Sequence, residues 1–324
     1  MPAYNAADVL PLCVTALQNQ TIAPAEIIVV DDGSTDDTPA IARRLGARVL
    51  TQPHQGPAAA RNLGIQNARG EIILLTDADC EPFPDWIERQ CAPLSEPQVM
   101  GSKGTYQTRQ RNLMARLVQL EYEYRYARMR QFSSIDFIDS YAAAYRRTTL
   151  LQFGGFDPLF PSATAEDIDL CFRLARAGCL LVFAPQAQVW HRHPTSLWVY
   201  LRRKFFYGFW RALVYQRYPE KTRGDAHTDP ALKRQFVLVA LTGILGLIGF
   251  IWMPAWTIAL SALGVLLWTM FPFAHWAWQR DKVVALAWLP VNVLRVTVQG
   301  CALALGLVYH RLVHPNEKIQ RATR

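Results

Sequence analysis

This 324-residue chain lacks several sequence patterns that are typical of common protein classes. None of its six cysteines stands in a C-x-x-C pair, which argues against a zinc site and favours buried thiols in a reducing compartment. Internal repeats and low-complexity segments are also missing. We expect no signal peptide, because Met1 is followed directly by Pro2-Ala3-Tyr4-Asn5.

Acidic residues are outnumbered, and the net charge is +8. Much of the basic excess lies just before a long apolar region, where cations mark the cytoplasmic side of a membrane and attract anionic lipid. Nucleic acid binding is the alternative, but no nucleic-acid-binding motif accompanies these residues, so we expect no nucleic acid partner. The basic residues are Arg202, Arg203, Lys204, Arg211, Arg217, Lys221, Arg223, Lys233 and Arg234.

Long apolar runs are confined to the C-terminal part of the chain. Segments 236–252 and 255–275 are each near the ~20 residues that span a bilayer. Segment 283–309 is long enough to cross as well, but Pro290 and Arg295 interrupt it, and an intramembrane arginine is costly. The choice between two and three spans stays open, since the apolar composition favours three and the basic C-terminus favours two.

Four parts follow from these patterns. We predict a soluble domain at 1–197, a basic amphipathic interface linker at 198–235, a transmembrane region at 236–310 and a basic tail at 311–324. Two spans that turn at Met253-Pro254 would leave the linker and Arg280-Asp281-Lys282 on the cytoplasmic side.

Helix patterns and short apolar strands alternate in the soluble domain, which predicts a sheet with helices on both faces. Ligands bind such sheets at the carboxyl ends of the parallel strands. The run 26–30 ends at Asp31-Asp32, and the run 71–75 is followed by Asp77-Ala78-Asp79, so both acidic pairs should face one crevice. Further predicted strands are 48–50 and 180–183, and predicted helices are 10–19, 40–45, 56–66, 84–90, 113–129 and 167–177.

Seven short segments, in order, carry a resemblance to a known family. They are Pro2-Ala3-Tyr4-Asn5, Val30-Asp31-Asp32-Gly33-Ser34-Thr35-Asp36, Ala60-Arg61-Asn62-Leu63-Gly64, Asp77-Ala78-Asp79, Gly154-Gly155-Phe156-Asp157, Glu166-Asp167-Ile168-Asp169-Leu170 and Val189-Trp190-His191. Over residues 1–195 the series resembles the family 2 inverting glycosyltransferases. The resemblance implies the GT-A fold, an α/β Rossmann-like mixed, mostly parallel sheet with helices on both faces, here followed by C-terminal membrane helices.

The resemblance implies a nucleotide-sugar donor. It places Tyr4, Asp31 and Asp32 at the nucleotide, where a carboxylate can accept the uracil N3–H of a UDP-sugar. A helix-capping turn is the alternative for the two aspartates. Arg61 could pair with phosphate or a base carbonyl, or could be a surface helix charge.

The D-x-D pair, Asp77 and Asp79, offers two carboxylates to one Mg²⁺ or Mn²⁺ ion. By resemblance, Asp79 is the direct ligand, and Asp77 lies nearer the ribose. His191 either completes the metal site or is structural.

Asp167 stands at a predicted helix start, where the helix dipole by itself favours an acid. Inverting transfer needs one carboxylate to take the proton from the acceptor hydroxyl. The resemblance assigns that role to Asp167, and Glu166 would hold the acceptor or orient the loop.

The chain departs from the family pattern at two places. The apolar strand before Pro2 is missing, so we expect an upstream start or a truncated product. The Q-x-x-R-W signature of processive synthases is replaced by Leu201-Arg202-Arg203-Lys204-Phe205, which favours a single transfer. We therefore expect a metal-dependent transferase in the bacterial inner membrane, with a cytoplasmic catalytic domain and a lipid-linked or membrane-proximal acceptor. A processive polysaccharide synthase and a catalytically silent membrane scaffold are the alternatives.

Overall fold

The computed structural model describes residues 1–222, 224–225 and 228–314. Arg223 of the predicted linker and residues 315–324 of the predicted tail lie outside this part. The chain forms two compact units. The first comprises Met1–Gln110 and Tyr126–Arg192, and the second comprises Arg111–Arg125 and the residues from His193 onward.

Short strands and helices alternate in the first unit. In chain order they are β1 (Pro2–Ala3), α1 (Leu10–Gln18), β2 (Ile28–Asp31), α2 (Thr38–Arg44), β3 (Arg48–Thr51), α3 (Pro57–Asn67), β4 (Ile72–Leu75), β5 (Cys80–Pro82), α4 (Trp86–Cys91), β6 (Val99–Gln107), α5 (Leu113–Met129, shared with the second unit), β7 (Ala143–Arg146), α6 (Arg147–Gln152), α7 (Glu166–Arg176) and β8 (Leu180–His191). The α/β class with a mixed sheet is confirmed.

The strands form a parallel sheet of order β1-β2-β3 and a mixed sheet of order β4-β7-β6-β8-β5. Within the described residues, half of the strand pairings are antiparallel: β4 with β7, β5 with β8 and β6 with β7. This fraction of antiparallel pairings is larger than a mostly parallel sheet would have. The reason is that β5 and β7 form only antiparallel pairings among the described residues, and neither has the long apolar run of a buried parallel strand.

Strand β1 is formed by Pro2 and Ala3, directly after the position where the family pattern has an apolar strand. It is two residues long and pairs parallel with β2, with Pro2 opposite Val30. The main-chain ladder extends past both ends of β1, because Val30 N–H donates to the Met1 carbonyl and Asp32 N–H donates to the Ala3 carbonyl, each at 2.9 Å. The N-terminal residues of the chain therefore pair with β2, and a further apolar strand before Pro2 stays a prediction.

The second unit is helical. Besides the first part of α5 it contains α8 (Leu197–Arg217), α9 (Pro230–Ile248), α10 (Pro254–Trp278) and α11 (Lys282–Val313). The last three are long and apolar enough to cross a membrane. Pro290 lies within α11 and does not end it.

The first half of α5 belongs to the second unit rather than to the predicted soluble domain. Its side chains Met114 and Leu117 are buried in one apolar cluster with Leu266 of α10 and Trp288 of α11. This packing explains why the first half of α5, which the sequence pattern places in the soluble domain, belongs to the unit of the apolar helices.

Arg295, which counted against a third span, has a buried counter-charge. Its Nη1 donates to Glu121 Oε1 at 2.7 Å, and Lys204 Nζ donates to Glu121 Oε2 at 3.1 Å. Tyr200 also donates to this carboxylate. Burial alone would raise the pKa of Glu121, but Lys204 and Arg295 outweigh burial and lower it to about 2. Glu121 therefore stays ionised, which offsets the cost of placing Arg295 among apolar helices.

We expect Glu121→Leu to destabilise the second unit more than Arg295→Leu does. Removal of Glu121 leaves two buried cations without a counter-charge, a loss of about 3–5 kcal/mol, whereas Arg295→Leu leaves Glu121 paired with Lys204. Thermal unfolding of both variants in the same detergent measures the difference. An Arg295→Leu loss as large as that of Glu121→Leu would contradict this account of the cluster.

Candidate active site

Asp31 and Asp32 end β2 as predicted, and both are buried. Asp31 Oδ1 accepts the Ser34 N–H at 3.1 Å, which is the local turn that the sequence left as an alternative. Asp32 holds the turn before α3, because its Oδ1 accepts from Gln55 N–H and its Oδ2 accepts from Gly56 N–H, both at 2.9 Å. The two carboxylates thus shape the end of β2 and the start of α3.

Tyr4 and His54 form an aromatic surface beside Asp32. Their ring centroids are 4.2 Å apart, and the His54 Nδ1 lies 3.0 Å from Asp32 Oδ2. Tyr4 is 47% exposed, so its ring is available to stack on a planar ligand. His54 was missed from the sequence, where only its place in the turn after β3 could have indicated it.

Arg61 joins two carboxylates that are distant in sequence. Its Nη2 donates to Asp77 Oδ1 and its Nη1 donates to Glu166 Oε1, both at 3.0 Å. Burial alone would lower the pKa of Arg61, but the carboxylates Asp77, Asp167 and Glu166 outweigh burial and raise it. The reading of Arg61 as a surface helix charge is wrong, because its side chain is buried.

The glycines of the Gly154-Gly155-Phe156 segment let it approach α3 next to Arg61. Asn62 Nδ2 donates to the Phe156 carbonyl at 2.7 Å, and Phe156 N–H donates to Asn62 Oδ1 at 2.8 Å. Gly155 has a φ of +64°, and a Cβ there would lie 2.3 Å from Asn62 Oδ1. Only glycine fits this close approach.

Asp79, Cys80 and His191 form a potential metal-binding cluster. Antiparallel pairing of β5 with β8 sets Cys80 opposite His191, and the His191 Nδ1 lies 3.5 Å from Asp79 Oδ2. One ligand atom from each residue lies within 4.8 Å of the others. Among the described residues, Asp77 does not belong to this cluster, because its carboxylate forms an ion pair with Arg61 instead.

The donor set fits a hard or borderline cation. A carboxylate oxygen suits Mn²⁺ or Mg²⁺, an imidazole nitrogen beside it favours Mn²⁺ of the two, and the 41% exposed Asp79 side chain leaves open positions for other ligands. Burial raises the pKa of the Cys80 thiol well above its usual value, and a soft sulfur donor is a poor match for Mn²⁺ or Mg²⁺.

Glu166 and Asp167 begin α7 and have different surroundings. Glu166 is held by Arg61 and by the Thr164 N–H, which donates to Oε2 at 2.8 Å. Asp167 Oδ2 accepts the Ser140 N–H at 3.0 Å, while its Oδ1 is buried without a hydrogen-bond partner. Burial and the neighbouring Glu166 raise the pKa of Asp167 well above its usual value, against the opposing charge of Arg61. A carboxylate with an unpaired oxygen and a raised pKa suits general-base chemistry.

Residues 1–153 match the family model described as glycosyl transferase family 2. The chain is 32% identical over 256 residues to the pre-mycofactocin glycosyltransferase of Mycobacterium tuberculosis, a match that covers 75% of this chain and 53% of that protein. It is 26% identical over 234 residues to the chondroitin synthase of Escherichia coli, covering 60% of this chain and 34% of that protein. The chain spans about half the length of the first of these relatives.

Two solved structures share the fold. A mannosyltransferase from Pyrobaculum calidifontis, in complex with GDP-Man and Mn²⁺, superposes with a TM-score of 0.58 at 19% identity, covering 96% of this chain and 86% of that one. Glucosyl-3-phosphoglycerate synthase from Mycobacterium tuberculosis, in complex with Mn²⁺, UDP and glucosyl-3-phosphoglycerate, gives 0.50 at 20% identity, covering 66% and 76%. At these identities the likeness concerns the fold alone.

We expect Asp79→Ala and His191→Ala each to weaken Mn²⁺ binding by about tenfold or more, because each removes one donor atom of the cluster. Cys80→Ser is the matched control, and it should leave the affinity nearly unchanged. Titration of free Mn²⁺ by electron paramagnetic resonance measures all three. Undiminished Mn²⁺ binding by Asp79→Ala would rule out this metal site.

Proposed function

Because this chain belongs to glycosyl transferase family 2, we propose that it transfers one sugar at a time, with inversion, from a UDP-sugar to an acceptor hydroxyl. The observation that carries the proposal is that the first unit contains two features together. One is a donor set suited to a divalent cation, and the other is a separate carboxylate with an unpaired oxygen. The first is Asp79 with His191, and the second is Asp167.

The donor would bind at the carboxyl ends of β2 and β4. The rings of Tyr4 and His54 offer a stacking surface for the base, and Asp31 or Asp32 would accept the uracil N3–H. The mannosyltransferase solved with GDP-Man and Mn²⁺ and the synthase solved with UDP and Mn²⁺ support a nucleotide donor and a divalent metal. They differ in the nucleobase, so the choice of UDP rests on the residues of this chain.

Asp79 and His191 would hold Mn²⁺ or Mg²⁺, which, when bound, offsets the negative charge of the departing diphosphate. Arg61 fixes Asp77 beside this site and leaves Asp79 to the metal. Asp167 would take the proton from the acceptor hydroxyl at its unpaired Oδ1 while the hydroxyl oxygen attacks the anomeric carbon and the bond from that carbon to the diphosphate breaks. Glu166, bound to Arg61, orients the start of α7 rather than reacting.

The acceptor would be lipid-linked or membrane-proximal, because three apolar helices follow the catalytic unit. The name of one relative offers pre-mycofactocin as another acceptor. The similarity to chondroitin synthase makes a processive synthase the second candidate function. Against it, Leu201, Lys204 and Phe205 stand in place of the Q-x-x-R-W signature that holds a growing polymer in processive synthases. A silent scaffold is disfavoured, since Asp79, His191 and Asp167 are all in place. Release of UDP from UDP-sugars by the purified protein with Mn²⁺ tests the proposal.

We expect Asp167→Asn to lower the transfer rate by about 10²–10⁴-fold, because the amide cannot accept the acceptor proton. Binding of UDP with Mn²⁺ should change little, since Asp167 does not belong to the metal cluster. Turnover assays and calorimetry on the same preparation separate the two effects. A variant that keeps more than about a tenth of the wild-type rate would remove Asp167 from the role of base.

The proposed location is the bacterial inner membrane with a cytoplasmic catalytic unit, the side on which basic residues flank the spans. With this orientation an impermeant maleimide should label Trp252→Cys in intact cells, and Gln279→Cys only after permeabilisation. The reverse pattern would overturn the orientation. Labelling of His314→Cys in intact cells means that α11 crosses, and protection means two spans. The unsubstituted protein measures the reactivity of the native cysteines.

A further inference from the structure

Lys103 is a fully buried cation in the middle of β6, flanked in the mixed sheet by Ala143 of β7 and Phe183 of β8. Its ammonium group forms an ion pair with Asp139 and donates to the Tyr141 hydroxyl at 3.2 Å. A charge in such a place is costly unless it is paired and hydrogen-bonded, as it is here. Apolar side chains of similar volume in place of a buried ion pair are often equally stable, so the pair by itself is weak evidence for a purely stabilising role.

One set of contacts leads from Lys103 to the proposed base. Asp139, the partner of Lys103, precedes Ser140 directly, and the Ser140 N–H donates to Asp167 Oδ2 at 3.0 Å. That bond fixes one oxygen of Asp167 and leaves Oδ1 for the reaction. The ion pair of Lys103 with Asp139 therefore anchors the segment that orients the base.

A second set of contacts leads from Lys103 to the proposed metal ligand. Tyr141 receives the Lys103 hydrogen bond and shares a hydrogen bond of 2.7 Å with the Tyr126 hydroxyl. The Tyr141 ring stacks on Tyr106, and Tyr106 stacks on the His191 ring with centroids 4.3 Å apart. The Tyr106 ring thus backs the face of His191, and Tyr141 holds Tyr106 in place.

We propose that Lys103 is a positioning residue that sets the orientation of both Asp167, through Asp139 and Ser140, and His191, through Tyr141 and Tyr106. The inference rests on the proposed function, which gives these two residues their roles. It goes further in assigning one buried cation, in contact with neither reactant, to the alignment of the base with the metal site.

The test compares Lys103→Met, which keeps the length and removes the charge, with Lys103→Arg, which keeps the charge. Lys103→Met/Asp139→Asn removes both charges, so it restores folding if an unpaired Asp139 destabilises Lys103→Met. Arg146→Met is the matched control, because it removes a cation of the neighbouring strand β7 whose hydrogen bonds, among the described residues, go to the carbonyls of Val99, Leu94 and Glu96.

We expect kcat to fall about tenfold or more in Lys103→Met and in the double variant, with the donor KM within about twofold of wild type. Lys103→Arg should recover part of the loss. Mn²⁺ affinity should also fall, through His191. The amide of Ser140 should exchange its hydrogen faster in Lys103→Met and in the double variant, a readout that needs no donor or turnover.

The pH profile separates positioning from a general loss of stability. The groups that interact electrostatically with Asp167 are Glu166, Arg61, Asp139, Tyr145 and Cys171, together with the Ser140 N–H. Loss of the Ser140 bond raises the pKa of Asp167, and in Lys103→Met the unpaired Asp139 adds to this. The acid limb of kcat, where the base becomes protonated, should therefore move to higher pH in Lys103→Met and not in Arg146→Met.

Wild-type kcat, acid limb and Ser140 exchange in a folded double variant would overturn the positioning role alone. Equal losses in Arg146→Met would do the same, because they would mean that any lost cation of this sheet disturbs the site. A wild-type protein without turnover contradicts the proposed function instead, and faster Ser140 exchange would still measure the anchoring by Lys103.

Discussion

The arrangement of the candidate site depends on one buried guanidinium. Arg61 lies on α3 and binds Asp77, just after β4, and Glu166, at the start of α7, with bonds of 3.0 Å to each. Arginine does not lose its proton in proteins, and it has no acceptor atom, so both neighbours must present acceptor oxygens to it. The metal edge of the sheet and the helix that carries Asp167 are thereby held together, and breaking the bond to Glu166 would leave a buried carboxylate without its counter-charge.

The acidic residues of the site differ in role because their surroundings differ. Asp32 accepts backbone N–H groups and shapes a turn, Asp77 is neutralised by Arg61, and Asp79 lies exposed beside His191. Asp167 combines burial with an unpaired oxygen. Such separation of environments is how one site supplies a metal ligand and a base from the same chemical group. In the helical unit, too, the surroundings of an acidic residue decide its role, because Glu121 compensates the charge of two buried cations.

Much of the fold could be predicted from local patterns. The strands β2, β3 and β4 are short apolar runs that end in turn residues, and the helices between them follow the apolar periodicity to within a few residues. Strands β5, β6 and β7 and helix α6 were missed. Strand β6 reads VMGSKGTYQ, without an apolar run, and its Gly101 and Gly104 are there because a Cβ would meet Tyr145 or the Ala187 carbonyl. These are contacts with distant residues, which no window of sequence contains.

The sequence by itself determined the family motifs, the placement of acids at strand ends and the apolar lengths of α9, α10 and α11, because these depend on neighbours in the chain. Only the tertiary structure decided which charges meet. Arg61 finds Glu166 across 105 residues, and Arg295 finds Glu121 across 174. Strand pairing brings His191 to Asp79. The physical reason is that burial makes an unpaired charge too costly, so the fold must supply each partner wherever in the chain it lies.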